Sequence, residues 1–314
     1  MIRPTILRSG DCIGIAAPAS PPDADAVQAG VSLLEARGYR VIVGAHVFDA
    51  APHCGYLAGR DENRAADLNQ LFANRDVKAI FCACGGYGTM RLLDWLDWET
   101  IRANPKIFVG YSDVTSLHLA LARRCGLVTF HGPMLSRLKQ HDAAAQEIFW
   151  RLLETPEAFG ECAVATGSLQ TVVGGVAEGE LAGGCLTLLA GACGTQDAPD
   201  FTAKIVLIED IGEAIYRADR CLTQLKNAGL LQMAAGFVAG EITGWQEQEP
   251  RPEINSSASL WQDTFAPLNR PAISGFPFGH VPNPLMLPLG VRARLDATAR
   301  TLTLLESATI SARE

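Results

Sequence analysis

In Ile107-Phe-Val-Gly-Tyr-Ser-Asp, Ser112 stands between a short apolar run and an amphipathic one. Residues 107–109 read as a buried strand. Residues 113–124 read as a helix with Val114, Leu117 and Leu121 on one face. The junction has room only for a sharp turn. A serine on such a turn has its hydroxyl pushed out of the sheet edge, while the first N–H groups of the helix point at whatever it attacks. This is a nucleophile elbow in outline, although Gly110-Tyr111-Ser112-Asp113 lacks the second glycine of the usual hydrolase pattern. A turn whose serine merely caps a helix would read the same way.

A serine nucleophile needs a base, and the base a carboxylate that fixes its tautomer. Of the histidines, His118 falls inside the elbow helix and is expected to point away, while His46 and His141 sit in polar surface contexts. His131 and His280 each follow a strand and abut glycine, so either ring could reach a cleft or simply bond a loop. Among the acids, Glu209 and Asp210 end an apolar strand, whereas Glu213 starts a helix, where an acid complements the dipole. The strand-end seat favours Glu209. Gly85-Gly86 could lend backbone N–H groups to an oxyanion together with the N–H of Asp113, or could be no more than a tight turn. It is not a dinucleotide fingerprint, because Arg91 stands where the third glycine would be.

The elements that must position these groups can be read in order. A strand at 11–16 ends in a small-residue loop, 17–22, and Asp23 or Asp25 can cap a helix with Val27, Val31 and Leu34 inward. A strand at 39–43, a long loop, and a helix opening at Arg60-Asp61-Glu62 follow. Residues 78–84 form a strand broken by Gly85-Gly86-Tyr87-Gly88, before a helix carrying Leu92, Leu93 and Leu96. The elbow, a strand at 127–130 and a helix at 141–154 complete a parallel α/β pattern, whose ligands bind beyond the carboxyl ends of the strands. The pattern then changes to short strand-like runs, a helix starting at Ala182-Gly-Gly-Cys, strands at 204–209, 236–243 and 272–276, helices at 214–228 and 256–268, a polar loop at 244–255, and a closing hairpin of 292–296 with 301–305.

Composition narrows the class. A chain of 314 residues suits two domains. Its net charge of −8, with no Lys/Arg cluster, argues against a nucleic-acid partner. No apolar run reaches membrane-spanning length and Met1-Ile-Arg-Pro lacks a signal peptide's apolar core, so a cytoplasmic location away from membranes is expected. The nine cysteines make no CxxC pair and the six histidines no HExxH spacing; reduced thiols, no metal and no cofactor are expected.

As a set, these residues resemble the LD-carboxypeptidases, or muramoyltetrapeptide carboxypeptidases, and their relatives the microcin C self-immunity hydrolases. The likeness runs through Gly10-Asp11, Tyr56-Leu-Ala-Gly-Arg-Asp-Glu, Gly85-Gly-Tyr-Gly, Gly110-Tyr-Ser-Asp and Thr129-Phe-His-Gly-Pro. It continues through Leu207-Ile-Glu-Asp, Tyr216-Arg-Ala-Asp-Arg, Phe278-Gly-His and Leu287-Pro-Leu-Gly, in the family's order. The resemblance implies Ser112 as nucleophile, His280 as general base, Glu209 as orienting acid, and the N–H groups of Gly86 and Asp113 as oxyanion donors. His131 takes a structural or substrate-lining role; Tyr87, Arg60 and Arg217 are the other candidates to touch substrate. Two positions depart from the family: Cys84 stands where Arg is usual and Cys185 where Asn is usual.

The resulting expectation is an α/β protein. Residues 1–155 form an N-terminal parallel-sheet, flavodoxin/amidotransferase-like domain with the nucleophile elbow, and 156–165 a linker. Residues 166–314 form a mostly β (swivelling β/α) domain carrying the Glu and His. The resemblance implies release of terminal D-Ala from murein tetrapeptides in cell-wall recycling; a homodimer is expected. An immunity-type hydrolase of aminoacyl-nucleotide conjugates, with Trp245 as the residue that could stack on adenine, and a non-catalytic binding relative are the alternatives.

Overall fold

Short β-branched runs separated by amphipathic ones leave the first 130 residues one economical solution, a parallel sheet with helices on its faces. The computed structural model describes residues 1–51, 53–162, 164, 169–248 and 256–311. Strands β1 (Cys12–Ala16), β2 (Arg40–Val43), β3 (Val77–Cys82), β4 (Ile107–Gly110) and β5 (Thr129–His131) pair in parallel. With a returning strand, Leu287–Leu289, they make a six-stranded sheet in the order Leu287–Leu289, β5, β4, β3, β1, β2. Its helices are α1 (Ala24–Ala36), α2 (Asp61–Ala73), α3 (Trp98–Ala103), α4 (Thr115–Ala120), α5 (Leu135–Leu138) and α6 (Ala143–Glu154). Asp23 caps α1 by accepting from the Ala26 N–H at 2.8 Å. Phe72, Ile80, Phe108, Leu117 and Leu121 meet in one core cluster. Each such burial contributes about 1.5–3 kcal/mol.

The second unit is a mixed eight-stranded sheet. Its strands are β6 (Gly160–Glu161), β7 (Gln170–Val173), β8 (Val176–Cys185), β9 (Ile205–Ile211), β10 (Gly236–Thr243), β11 (Ala272–Ser274), β13 (Arg292–Asp296) and β14 (Thr301–Leu304), β12 being the Leu287–Leu289 strand of the first sheet. The order is β6-β14-β13-β8-β9-β10-β11-β7, parallel from β8 to β11 and antiparallel outside them. Helices α7 (Leu186–Gly191), α8 (Ile215–Asn227), α9 (Leu230–Met233), α10 (Trp245–Gln248) and α11 (Ser257–Phe265) complete it.

The division of the chain is less simple than a cut at 155 and 166. One unit is Met1–Glu157 with Met286–Pro288 and the described residues from Ala308; the other is Ala158–Leu285 with Leu289–Ser307. Part of the expected 156–165 linker is sheet, since Gly160 and Glu161 pair with β14; residues 163 and 165–168 lie outside the described residues.

Local differences have local causes. No full helix follows Gly88: residues Thr89–Leu92 make one 3-10 turn, and the Asp97 side chain caps a new start at α3 by accepting from the Thr100 N–H at 3.0 Å. The elbow helix is not uniform either. It runs as a 3-10 turn (Ser112–Val114), α4, and a π turn (Leu121–Cys125). The helix expected from Ala182 starts only at Leu186, because Gly183 and Gly184, at φ +131° and +141°, continue β8. A Cβ on Gly183 would stand 2.0 Å from the Leu207 carbonyl oxygen, so only glycine lets β8 approach β9 there. The polar loop begins with α10, and its residues 249–255 lie outside the described residues.

Candidate active site

β4 ends at Gly110, and Ser112 follows at φ +61°, a left-handed conformation that costs a non-glycine residue about 1–2 kcal/mol. Such strain persists only where the surroundings over-determine it. Three contacts do so here. The Val114 N–H bonds the Tyr111 carbonyl at 3.1 Å. The buried His118 donates from Nε2 to the Gly110 carbonyl at 2.8 Å and accepts the Thr129 hydroxyl at Nδ1 at 2.9 Å. Burial drives His118 down to about 3, so the ring is neutral and has one donor and one acceptor to offer, as this pair of partners needs. Finally, Asp113 is buried and its Oδ2 accepts the Thr89 N–H at 2.8 Å, while the Thr89 hydroxyl donates to the Asp113 carbonyl. Burial raises the Asp113 carboxyl, against the opposing hydrogen bonds from Thr89.

Thr89 thereby ties the elbow to the glycine loop. That loop lies against the nucleophile: a Cβ on Gly85 would stand 3.1 Å from Ser112 Cβ and 3.2 Å from its Oγ. Gly86, at φ +110°, leaves even less room, since a Cβ there would meet Ser20 Oγ at 2.1 Å. Ser20 holds the loop from the other side. Its N–H donates to the Gly85 carbonyl at 3.2 Å, and its hydroxyl accepts the Tyr87 N–H at 3.2 Å and donates to the Tyr56 carbonyl at 2.7 Å. Gly86 N–H makes no hydrogen bond among the described residues, which leaves it available as a donor.

In the second unit, successive side chains of β9 point to opposite faces, and this separates the two strand-end acids. Glu209 is fully buried, and its Oε2 accepts from His280 Nδ1 at 2.7 Å and from the His280 backbone N–H at 3.1 Å. His280 is 11% exposed in its side chain, and its carbonyl accepts the Thr243 hydroxyl at 2.7 Å. With Nδ1–H given to a carboxylate, Nε2 is the basic nitrogen. Asp210 serves α7 instead: Oδ2 accepts the Thr187 N–H at 2.9 Å and Oδ1 the Cys185 thiol at 3.3 Å. Burial raises Asp210, with Glu209 beside it adding to the shift. Glu213 is part-exposed and 3.8 Å from Arg217.

A buried Glu–His pair in one unit and a strained serine at a strand–helix junction in the other are a hydrolase's parts, and the homology agrees. Residues 13–132 match the LD-carboxypeptidase N-terminal domain and residues 178–295 the LD-carboxypeptidase C-terminal domain. The chain belongs to the LD-carboxypeptidase family. A putative carboxypeptidase of Streptomyces coelicolor is 41% identical over 307 residues, covering 97% of this chain and 96% of that one. The probable murein peptide carboxypeptidase of Bacillus subtilis is 39% identical over 306 residues, covering 95% and 93%. Among solved structures, an MccF-like protein from Bacillus anthracis aligns with a TM-score of 0.85 at 25% identity, over 98% of this chain and 100% of that chain. Membership of this family makes the protein a peptidase, and the relatives' names support carboxypeptidase activity.

The remaining site candidates differ in setting. Tyr87 is 48% exposed and packs edge-on against Tyr56 with ring centroids 5.9 Å apart. Arg60 is exposed just before α2, and Arg217 is exposed on the first turn of α8. His131 has no exposed surface and lies 5.9 Å from the Tyr111 ring, which supports the structural of its two expected roles. Trp245 is only 8% exposed, so its indole is no open stacking platform. Cys84 donates to the Ser20 carbonyl at 2.9 Å, and burial pushes its thiol up to about 11. Cys185 is raised well above the ordinary range by burial. Both departures from the family are thus neutral thiols bonded within their own units.

Thr89, Ser20 and Thr243 act on the site without having been singled out. Only Ser20, in the small-residue loop after β1, carried a signal: a position on a loop at the carboxyl end of a parallel strand. Among the described residues no three His, Cys, Asp or Glu side chains cluster as a metal ion requires, and no helix is long and apolar enough to cross a membrane.

Proposed function

We propose that this protein is a serine LD-carboxypeptidase that hydrolyses the L,D amide bond releasing terminal D-Ala from murein tetrapeptides in the cytoplasm. Ser112 Oγ attacks the scissile carbonyl while His280 Nε2 takes its proton. Glu209 holds the imidazole in that tautomer and stabilises the imidazolium. The oxyanion accepts the N–H groups of Gly86 and Asp113. Collapse expels the D-Ala amine with the proton from His280, and water, activated by the same imidazole, releases the acyl group from Ser112. The observation that carries this reading is the Glu209–His280 bond of 2.7 Å, because a buried carboxylate on Nδ1 is what a general base requires. The murein peptide carboxypeptidase name of the Bacillus subtilis relative supports the substrate class.

An immunity-type hydrolase acting on aminoacyl-nucleotide conjugates would use the same groups, and the likeness to an MccF-like structure keeps it in view. The buried Trp245 weighs against it. The test is direct competition of substrates: D-Ala release from murein tetrapeptide against cleavage of an acyl-sulfamoyl adenylate. A higher kcat/KM for the tetrapeptide is expected; a higher value for the adenylate would move the protein to the second class. Cleavage of neither would leave a binding relative. A homodimer, as expected from the sequence, is read by sedimentation.

A further inference from the structure

Arg64 lies on the second turn of α2, and its side chain has no exposed surface. A guanidinium is rarely taken out of water without a purpose, since its five donors must be met inside. Nη1 donates to the Pro18 carbonyl and, at 3.2 Å, to the Gly88 carbonyl. Nη2 donates to Asp61 Oδ1, and Asp61 also holds the exposed Arg91 at 2.8 Å. Nε has no hydrogen-bond partner among the described residues, so the site is not optimised for the cation itself. What the cation does is join two loops. Pro18 belongs to the loop after β1, the one that carries Ser20. Gly88 closes the loop that carries Gly86. The fit is close: a Cβ on Gly88, at φ +130°, would stand 2.7 Å from Nη1 and 2.6 Å from Leu57 Cδ2.

We infer that Arg64 is a positioning residue for the oxyanion donor: by fixing the Pro18 and Gly88 carbonyls it sets where the Gly86 N–H points. It touches no substrate. Nη1 reaches both loops while Asp61 holds Nη2, so the plane of the guanidinium is fixed in a way that a single point charge cannot be, which is why arginine rather than lysine suits the place. Ser20 pins the near side of the same loop, and Thr89 links its end to Asp113, so the two donor N–H groups move as one piece. The inference rests on the reading of Gly86 as a donor and of Ser112 as the nucleophile.

The experiment uses the full chain and D-Ala release from murein tetrapeptide, with kcat, KM and Tm measured for Arg64→Lys, Arg64→Met and Gly88→Ala. A misplaced oxyanion donor lowers kcat by about 10² or more while KM stays within about threefold. Arg64→Met should show that split, and Arg64→Lys should fall between it and wild type. A phosphonate mimic of the tetrahedral intermediate should lose affinity in proportion to kcat, with affinity for the product tripeptide kept. A merely structural arginine would lower Tm without this split. Folded Arg64 variants with wild-type kcat, or with KM alone raised, overturn the inference. Should both Arg64 variants fail to fold, Gly88→Ala carries the test from the other side of the contact, and an unchanged kcat there overturns it equally. Ser112→Ala run alongside separates the two claims. An active Ser112→Ala fails the serine reading and the positioning role with it; an inactive Ser112→Ala beside a fully active Arg64→Met fails the positioning role alone.

Discussion

Glu209 Oε2 meets His280 twice, at 2.7 Å from Nδ1 and at 3.1 Å from the backbone N–H. One oxygen thus fixes the ring's tautomer and the path of the loop that carries it. Glu209→Gln cannot supply a charge to the imidazolium, and an amide nitrogen presented to Nδ1 would select the other tautomer. Its kcat should fall by about 10³–10⁴. Glu213→Gln should remain within about tenfold of wild type, because a part-exposed acid beside a helix start contributes only about 0.3–1 kcal/mol. Measuring kcat and Tm for both decides the matter; an inactive Glu213→Gln beside an active Glu209→Gln would mean that the acid is misassigned.

Gly279 is the hinge of that contact. It sits at φ +77°, and a Cβ there would stand 2.2 Å from Glu209 Cδ. Gly279→Ala should therefore displace the carboxylate and lower kcat by at least about 10², the scale of a 1 Å error in a catalytic group. Gly212→Ala is the control. At φ +71° with nothing within 4 Å, it carries the backbone strain without the clash, and its kcat should stay within about threefold. Equal kcat values for the two variants would contradict the role given to Gly279.

Ser112, Glu209 and His280 stood out as candidates because strand alternation with amphipathic helices marks the ends of parallel strands in the sequence, although β9 runs on to Ile211, two residues past Glu209. The resemblance already pointed to Glu209 over Asp210, and the pleat of β9 supplies the physical reason, sending one to His280 and the other to Thr187. Arg64 was hidden by its type. In the sequence it is an ordinary helix cation three residues after Asp61, and only tertiary packing places it under the glycine loop. The return of Met286–Pro288 to the first unit was equally hidden, because a three-residue strand has no periodicity to read.

His118 gives the fold an acid limit. Its pKa is lowered to about 3 by burial, with His131 adding to the shift, against about 6.5 in the unfolded chain. Between those values the unfolded state binds a proton that the folded state refuses, so stability falls as pH drops through this window, by up to about 1.4 kcal/mol per pH unit from this group. Tm should decline steadily from pH 6.5 downward. His118→Gln, which can still donate to the Gly110 carbonyl, should have a lower Tm at pH 7 but a shallower decline. Parallel declines in the two proteins would show that His118 is not the group responsible.

The central claim is that Ser112 is the nucleophile, and D-Ala release by Ser112→Ala measures it most directly. Wild-type enzyme should cleave murein tetrapeptide with or without EDTA. Ser112→Ala, folded with an unchanged Tm because alanine keeps the Cβ and with it the strained φ, should lose about 10⁴ or more in kcat, because nucleophile and base act as a unit. Activity that survives in Ser112→Ala and disappears with EDTA would contradict the account.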